Sequence, residues 1–157
     1  MGIDKGDIIS DFELPDQDGV ARTLSGLLAG GPVVLFFYPA AMTSGCTAES
    51  CHFRDLAAEF AAVGAQRVGI SRDPVAKQKQ FSDLHGFDYP LLSDADSTVA
   101  SALGVKRKLP LGPLSIRRMT FVIDTDRRVL DVIHSERGMA EHADRALEIL
   151  RARGAQG

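Results

Sequence analysis

The run Pro32-Val-Val-Leu-Phe-Phe-Tyr38 leads directly into Pro39-Ala-Ala-Met-Thr-Ser-Gly-Cys46-Thr-Ala-Glu-Ser-Cys51. The first part is continuously apolar and rich in β-branched and aromatic residues, which is typical of a central strand covered on both faces. The second part holds both cysteines of the chain. We therefore expect the cysteines to follow the carboxyl end of a buried strand, where ligand sites gather in open α/β sheets.

Further elements are predicted on both sides of this strand. We expect a hairpin over residues 11–24 with Asp18-Gly19 as its turn, then the central strand, and then a helix that has Phe53, Leu56, Phe60 and Val63 on one face and Gly64 at its end. A strand at 67–70 should follow, then a helix that is capped by Asp73, has Pro74 at its first position and ends at Gly86, and then a short helix at 97–103. The last expected elements are strands at 120–124 and 129–133 and a helix at 140–153 with Ala143, Ala146, Leu147 and Leu150 facing inward. This order needs a parallel crossover first and an antiparallel hairpin later. It predicts one α/β domain over residues 1–157, a thioredoxin-like fold whose mixed central sheet is flanked by helices, with an N-terminal hairpin.

Composition narrows the class of protein. The 157 residues are 45% apolar and 25% charged with a net charge of −3, which is globular and lacks the basic surplus of a nucleic-acid binder. The longest apolar run, residues 33–42, contains Pro39 and is far shorter than the roughly 20 residues of a membrane span. The N-terminus has no apolar signal core. We expect a cytoplasmic protein without nucleic-acid or membrane partners, in which a close cysteine pair is catalytic, redox-sensing or metal-binding.

The position of Cys46 favours a reactive thiolate. Thr43 is a favourable N-cap residue, which places Ser44 at the first helical position and Cys46 at the third, as in a capping box with Cys in place of Glu or Gln. Sulfur there can accept bonds from free backbone N–H groups at the positive end of the helix dipole. We predict that the pKa of Cys46 is lowered to about 6, within the range of about 3.5–7.5 that such sites produce.

The position of Cys51 constrains disulfide formation. In a regular helix, Cα atoms five residues apart are roughly 8.6 Å from each other, whereas a disulfide needs them within about 7 Å. We therefore expect the first one or two helical turns to unwind when Cys46 and Cys51 bond. Amide exchange across residues 43–55 should then be faster in the oxidised protein.

Three other interpretations of the cysteines are weighed against this one. They could be buried packing residues. A zinc site with His52 lacks a fourth ligand at usable spacing. A dithiol reductase normally has C-x-x-C, whereas this spacing is C-x₄-C.

The segment from Pro39 to Cys46 matches the P-x-x-x-T-x-x-C signature of peroxiredoxins. The chain further resembles the peroxiredoxin Q branch, also called bacterioferritin comigratory protein, in residues 37–55, in Asp11-Phe-Glu-Leu-Pro-Asp-Gln-Asp-Gly19, in Tyr89-Pro-Leu-Leu-Ser-Asp94 and in Arg118-Met-Thr-Phe-Val-Ile-Asp124. The resemblance spans residues from about Gly6 to Leu150.

The resemblance implies roles for four residues around the cysteine motif. Cys46 is the expected peroxidatic cysteine, and Cys51 is the expected resolving cysteine on the same helix. Thr43 is expected to bond the thiolate and the peroxide, and Pro39 to shield the cysteine. The family is reduced by thioredoxin or a similar dithiol and uses no metal or haem, so no cofactor is expected.

An arginine and a glutamate complete the expected site. The resemblance implies that Arg118 holds the thiolate and polarises the peroxide, and that Glu49 orients Arg118. Arg118 also precedes a predicted strand beside the central one, from where its guanidinium could reach the helix start. Arg117 is the alternative, because strand alternation turns only one of the two inward. Glu49 would raise the pKa of the thiol unless it pairs with an arginine; an exposed acid in the first turn is the alternative for it.

The expected function is a monomeric thiol peroxidase that reduces hydrogen peroxide and organic hydroperoxides. A thioredoxin-fold disulfide oxidoreductase and a non-enzymatic redox sensor are the alternatives. The four histidines, His52, His85, His134 and His142, are scattered along the chain and receive no catalytic role. Three features depart from many relatives: Ser44 stands where they carry Pro, Ala40 where they often carry a charged or polar residue, and residues 106–115 are predicted to form an irregular loop.

Overall fold

The computed structural model describes residues 2–106 and 116–156. Its strands are β1 (Glu13–Pro15), β2 (Ala21–Thr23), β3 (Val33–Phe37), β4 (Gln66–Ser71), β5 (Leu91–Ser93), β6 (Met119–Ile123) and β7 (Val129–His134). Its helices are α1 (Leu24–Leu28), α2 (Ser44–Asp55), α3 (Ala57–Ala62), α4 (Val75–His85), α5 (Thr98–Leu103) and α6 (Met139–Gln156). Within these two ranges, no helix combines the length and the apolar character that crossing a membrane requires.

The central sheet has five strands in the order β5-β4-β3-β6-β7. Strand β3 is parallel to β4 and antiparallel to β6, while β4 pairs in parallel with β5 and β6 in antiparallel with β7. A separate antiparallel pair of β1 and β2 forms the N-terminal hairpin, with Gly19 at a left-handed φ of 76° in its turn. The thioredoxin-like fold, the mixed sheet and the hairpin are therefore confirmed.

Strand β3 lies in the middle of two cores, and all five of its residues are buried. Val33, Leu35 and Phe37 pack on the face covered by α1 and α5, whereas Val34 and Phe36 pack on the face covered by α2, α3, α4 and α6. This two-sided burial explains why the strand is uniformly apolar rather than alternating. The strand also fixes the point at which the chain leaves the sheet and enters the loop that leads to α2.

Some local predictions were wrong. The helix expected to run through Leu56 to Val63 is broken at Leu56, whose φ of −97° and ψ of 21° separate α2 from α3. Pro74 occupies the cap position of α4 rather than its first helical position, and the Asp73 side chain bonds elsewhere. Helix α1 and strand β5 were not predicted, and α6 is longer than expected.

Other local predictions hold. Gly86 and Gly104 end α4 and α5 in the left-handed conformation, as predicted. The four residues expected to face inward from α6 are buried, namely Ala143, Ala146, Leu147 and Leu150. The predicted loop over residues 106–115 lies outside the described residues except for Lys106, which forms a β-bridge with Ile116.

Candidate active site

Cys46 is the third residue of α2 and is buried, with 1% of its surface exposed. The helix starts where the sequence predicts, since Thr43 is the extended N-cap residue and its carbonyl accepts the N–H of Thr47 at 2.8 Å. The predicted capping box is wrong. The Thr43 hydroxyl makes no bond to the helix and instead donates to the Ala40 carbonyl at 2.9 Å, because the tight loop brings that acceptor within reach.

A carboxylate from the next β-α connection holds the loop before α2. Asp73 Oδ2 accepts the backbone N–H of Ala41 at 2.6 Å and the Ser71 hydroxyl at 2.7 Å. The residue after Ala41, Met42, has a φ of 72°, a left-handed conformation that a side chain rarely adopts. Such strain persists only where the surroundings enforce it, and the Asp73 bond supplies part of that constraint.

Arg118 connects the start of β6 to the cysteine. Its side chain is buried, Nη2 donates to Cys46 Sγ at 3.3 Å, and Nη1 donates to Glu49 Oε1 at 2.9 Å. Burial lowers the pKa of Arg118, but Glu49 and Cys46 outweigh it and the net pKa is raised, so the charge is secure. Arg117 is only half-buried, and its backbone N–H donates to Val105. The geometry thus brings Arg118, and not Arg117, to the sulfur.

Gly45 allows this close approach. A Cβ atom at position 45 would lie 3.3 Å from Arg118 Nη2 and 3.5 Å from Met139 Cε. The first contact is tight and would push the guanidinium away from Cys46, whereas the second is an ordinary van der Waals contact. A glycine immediately before the cysteine therefore follows from the packing of the arginine.

Glu49 is fully buried, so the alternative of an exposed acid is wrong. Its Oε1 atom accepts the Arg118 bond, while its Oε2 atom lies 3.6 Å from His142 Nδ1. Burial raises the pKa of Glu49 to about 7, although Arg118 opposes that shift. Two carboxylate oxygens thus face two different cationic or polar partners.

His142 also lies beside Glu49, a position that the sequence did not predict. It is fully buried on α6, with Nδ1 2.7 Å from Thr120 Oγ1 and Nε2 2.8 Å from the Ser135 carbonyl. Burial lowers the pKa of His142, and the charge of Arg118 lowers it further. A signal was available, because His142 precedes the buried Ala146 by one helical turn on the same face.

The remaining predicted residues lie around the same helix start. Cys51 is half-buried on α2 and is a free thiol, as is Cys46. Both cysteines stand on one helix that is continuous from Ser44 to Asp55. Pro39 is half-buried in the loop after β3. His52, considered as a zinc ligand with the cysteines, contacts Asp144 Oδ1 at 2.8 Å instead.

A thioredoxin-like sheet with a buried cysteine under an arginine defines the class of thiol-dependent redox proteins, and comparison with known proteins narrows it. Residues 5–132 match the AhpC/TSA family. Peroxiredoxin Q of rice chloroplasts is 37% identical over 150 residues, which cover 96% of this chain and 68% of that protein. The structure is similar to that of peroxidoxin BcpB of Mycobacterium tuberculosis, with a TM-score of 0.91 and 65% sequence identity over 96% of this chain and 97% of the other. It is also similar to the structure of peroxiredoxin Q of Xanthomonas campestris, with a TM-score of 0.82 and 34% sequence identity over 90% of each chain.

The chain belongs to the AhpC/TSA family, as a peroxiredoxin of the peroxiredoxin Q and bacterioferritin comigratory protein type. The family implies a thiol peroxidase, with a peroxide as substrate and a thioredoxin-like reductant. The resemblance stated from the cysteine motif is confirmed.

Proposed function

We propose that this protein reduces hydrogen peroxide and organic hydroperoxides through Cys46, forms a disulfide with Cys51, and is recycled by thioredoxin or a similar dithiol. The observation that carries the proposal is the 3.3 Å contact between Arg118 Nη2 and Cys46 Sγ at a helix start. A fixed cation at that distance stabilises a thiolate, which is the nucleophilic form of cysteine.

In the first step, the Cys46 thiolate attacks the terminal oxygen of the hydroperoxide. An S–O bond forms as the O–O bond breaks, and the leaving oxygen takes a proton and departs as water or an alcohol. Arg118 faces the negative charge that develops during this transfer, which is the role of preorganised donors in catalysis. Thr43 and Pro39 line the loop before the helix, where we assign them to peroxide binding and shielding.

In the second step, Cys46 is a sulfenic acid, and the Cys51 thiolate attacks its sulfur. The S–S bond forms as the S–O bond breaks, and the leaving hydroxide takes a proton from solvent and departs as water. An external dithiol then reduces the disulfide by exchange and is itself oxidised. We assign Glu49 to orienting Arg118 through the first step, because its Oε1 atom fixes the other end of the guanidinium.

Peroxide consumption with thioredoxin as electron source tests the proposal. Cys46→Ser and Cys51→Ser form a matched pair, since each removes one sulfur from the same helix. Cys46→Ser should abolish turnover with hydrogen peroxide and with an organic hydroperoxide. Cys51→Ser should consume one equivalent of peroxide and leave a sulfenic acid that a dimedone probe labels at position 46.

Two results would contradict the assignment. A Cys46→Ser protein with the parent peroxidase rate would exclude Cys46 as the nucleophile. Reduction of insulin disulfides at a rate that exceeds peroxide turnover would favour a disulfide oxidoreductase.

A further inference from the structure

The carboxyl group of Glu49 is bonded on one side only. Oε1 accepts Nη1 of Arg118 at 2.9 Å, whereas the fully buried Oε2 has no hydrogen-bond partner among the described residues. A buried carboxylate oxygen that accepts no bond from the protein is costly, because burial removes it from bulk water. A proton on Oε2 would remove that cost and leave Oε1 free to accept the Arg118 bond.

The ring of His142 lies beside Oε2 and carries a nitrogen that could accept a bond from such a proton. Its Nε2 atom lies 2.8 Å from the Ser135 carbonyl, and a carbonyl only accepts, so Nε2 carries the ring hydrogen. In the neutral ring, Nδ1 is then a lone pair. That lone pair accepts the Thr120 hydroxyl at 2.7 Å, and Glu49 Oε2 lies 3.6 Å from the same nitrogen, just beyond hydrogen-bond distance.

We propose that Glu49 keeps a proton on Oε2 and points it toward His142 Nδ1, where it competes with the Thr120 hydroxyl for the lone pair, which makes His142 a positioning residue for the active site. The inference rests on the proposed function and adds to it a buried proton site. Its consequence concerns charge. With Glu49 neutral, the charge of Arg118 is balanced by the Cys46 thiolate and not by a carboxylate behind it.

The net charge of the three buried groups supports this arrangement. A thiolate, a guanidinium and a carboxylate buried together carry a net charge of −1, whereas the protonated carboxyl brings the trio to zero. A second buried negative charge would disfavour the thiolate. The raised pKa of Glu49 and the lowered pKa of His142 agree with a proton held by the carboxyl rather than by the imidazole.

Charged groups on each neighbouring segment face this pair. Arg118, before β6, lowers the pKa of both partners. Glu136, after β7, raises both of them, and Glu141 on α6 raises that of His142. Thr120 on β6 is the neutral group that competes for the Nδ1 lone pair. The titration therefore belongs to the whole cluster, and substitutions at Thr120 and His142 alter its local hydrogen bonds without removing a charged neighbour.

Infrared titration of the carboxyl band in the reduced protein tests the proposal without using peroxide. Glu49→Gln should remove a protonated-carboxyl band that persists near neutral pH. His142→Gln keeps a donor for the Ser135 carbonyl and replaces the Nδ1 lone pair beside Glu49 with a less basic amide oxygen. Because a bond to the neutral carboxyl favours its protonated form, the band's midpoint should fall by roughly 0.4–1 pH unit.

Thr120→Val provides the opposite change. It removes the hydroxyl that competes for Nδ1, so the midpoint should rise. His85→Gln on α4 is the matched control and should leave the midpoint unchanged. The rate of Cys46 oxidation near neutral pH should follow the same order, falling by up to about tenfold in His142→Gln. If His142→Gln does not fold, the sign of the Thr120→Val shift still decides.

The proposal is overturned if Glu49→Gln removes no such band, if either shift is absent, or if both variants shift the midpoint in the same direction, which is what a merely structural role would give. A protein that shows the expected titration but does not consume peroxide would retain this proton site and lose the proposed function. The two failures are therefore distinguishable.

Discussion

Tyr89→Phe should accelerate formation of the Cys46–Cys51 disulfide. The buried Tyr89 hydroxyl donates to the Ser50 carbonyl of α2 at 2.7 Å, directly beside Cys51. Both cysteines lie within one continuous helix, so α2 must unwind before their Cα atoms, roughly 8.6 Å apart in helical geometry, come within the limit of about 7 Å. Loss of the hydroxyl weakens only the helical state, because the unwound carbonyl is solvated.

The magnitude follows from the single bond removed. A hydrogen bond contributes about 1 kcal/mol net, which corresponds to roughly a fivefold rise in the unwound population and in the rate of disulfide formation. The assay mixes the protein with one equivalent of peroxide, quenches it with an alkylating reagent at successive times, and counts sulfenic acid and disulfide by mass spectrometry. Oxidation of Cys46 itself should keep its rate.

Tyr38→Phe is the matched control, because that equally buried hydroxyl donates to Gln78 at 2.6 Å and not to α2. The reverse change is Ser44→Pro. Thr43 has the extended conformation that precedes proline readily, with φ −82° and ψ 156°, and Ser44 is the first residue of α2. A gain of roughly 0.4–1 kcal/mol should slow the disulfide two- to fivefold. Unchanged rates in both Tyr89→Phe and Ser44→Pro would refute unwinding of α2 as the limiting step.

Three further outcomes are expected. Arg118→Lys should slow Cys46 oxidation roughly a hundredfold in a peroxide-competition assay, because one ammonium cannot reach both the sulfur and Glu49; Arg117→Lys should not. The free energy of unfolding should fall as pH rises from about 4.5 to 7, by up to about 1.4 kcal/mol per pH unit. The reason is that the folded protein keeps the Glu49 proton over this range, whereas the unfolded chain loses it. Urea titrations of Glu49→Gln should lack this pH-dependent contribution. Asp73→Ala should lower stability by roughly 1.5–3 kcal/mol in urea and slow Cys46 oxidation, because the N–H of Ala41 loses its charged acceptor; unaltered stability would contradict that role.

The sequence predicts the parts of this fold that depend on long apolar patterns. Strand β3 is unmistakable because both of its faces are buried, and the Thr43 to Cys46 spacing fixes where α2 begins. Strand alternation predicts that only one of Arg117 and Arg118 points inward, the family resemblance favours Arg118, and the structure buries Arg118 against the sulfur. Each of these predictions needs only the periodicity of one element.

The missed features depend on contacts between elements or on short segments. The spacing of apolar residues does not reveal the break at Leu56, because it stays helical across that residue. The helical hydrogen bonds also continue there, from the Leu56 N–H to the His52 carbonyl and from the Phe60 N–H to the Leu56 carbonyl. Helix α1 and strand β5 have five and three residues, too few for a periodic signal. His142 reaches Glu49 only because α6 packs across α2, and no local pattern encodes that pairing.

Helix α2 reconciles two demands that oppose each other. In the proposed mechanism, nucleophilic attack requires Cys46 to be held rigidly under Arg118, whereas disulfide formation requires the same turn to open. The helix is only 12 residues long, a length at which isolated helices are marginal, and its N-cap side chain adds no bond. Its middle is tied to the body of the protein by Tyr89, and its end by Arg67, which donates to the Phe53 carbonyl at 2.9 Å. The first half is held by Arg118 through Cys46 and Glu49, and the Arg118 contact with Cys46 should weaken when oxidation converts the thiolate to a neutral sulfenic acid. Oxidation thus weakens the bond that keeps Cys46 in place, so the chemistry of the first step itself favours the unwinding that the second step needs.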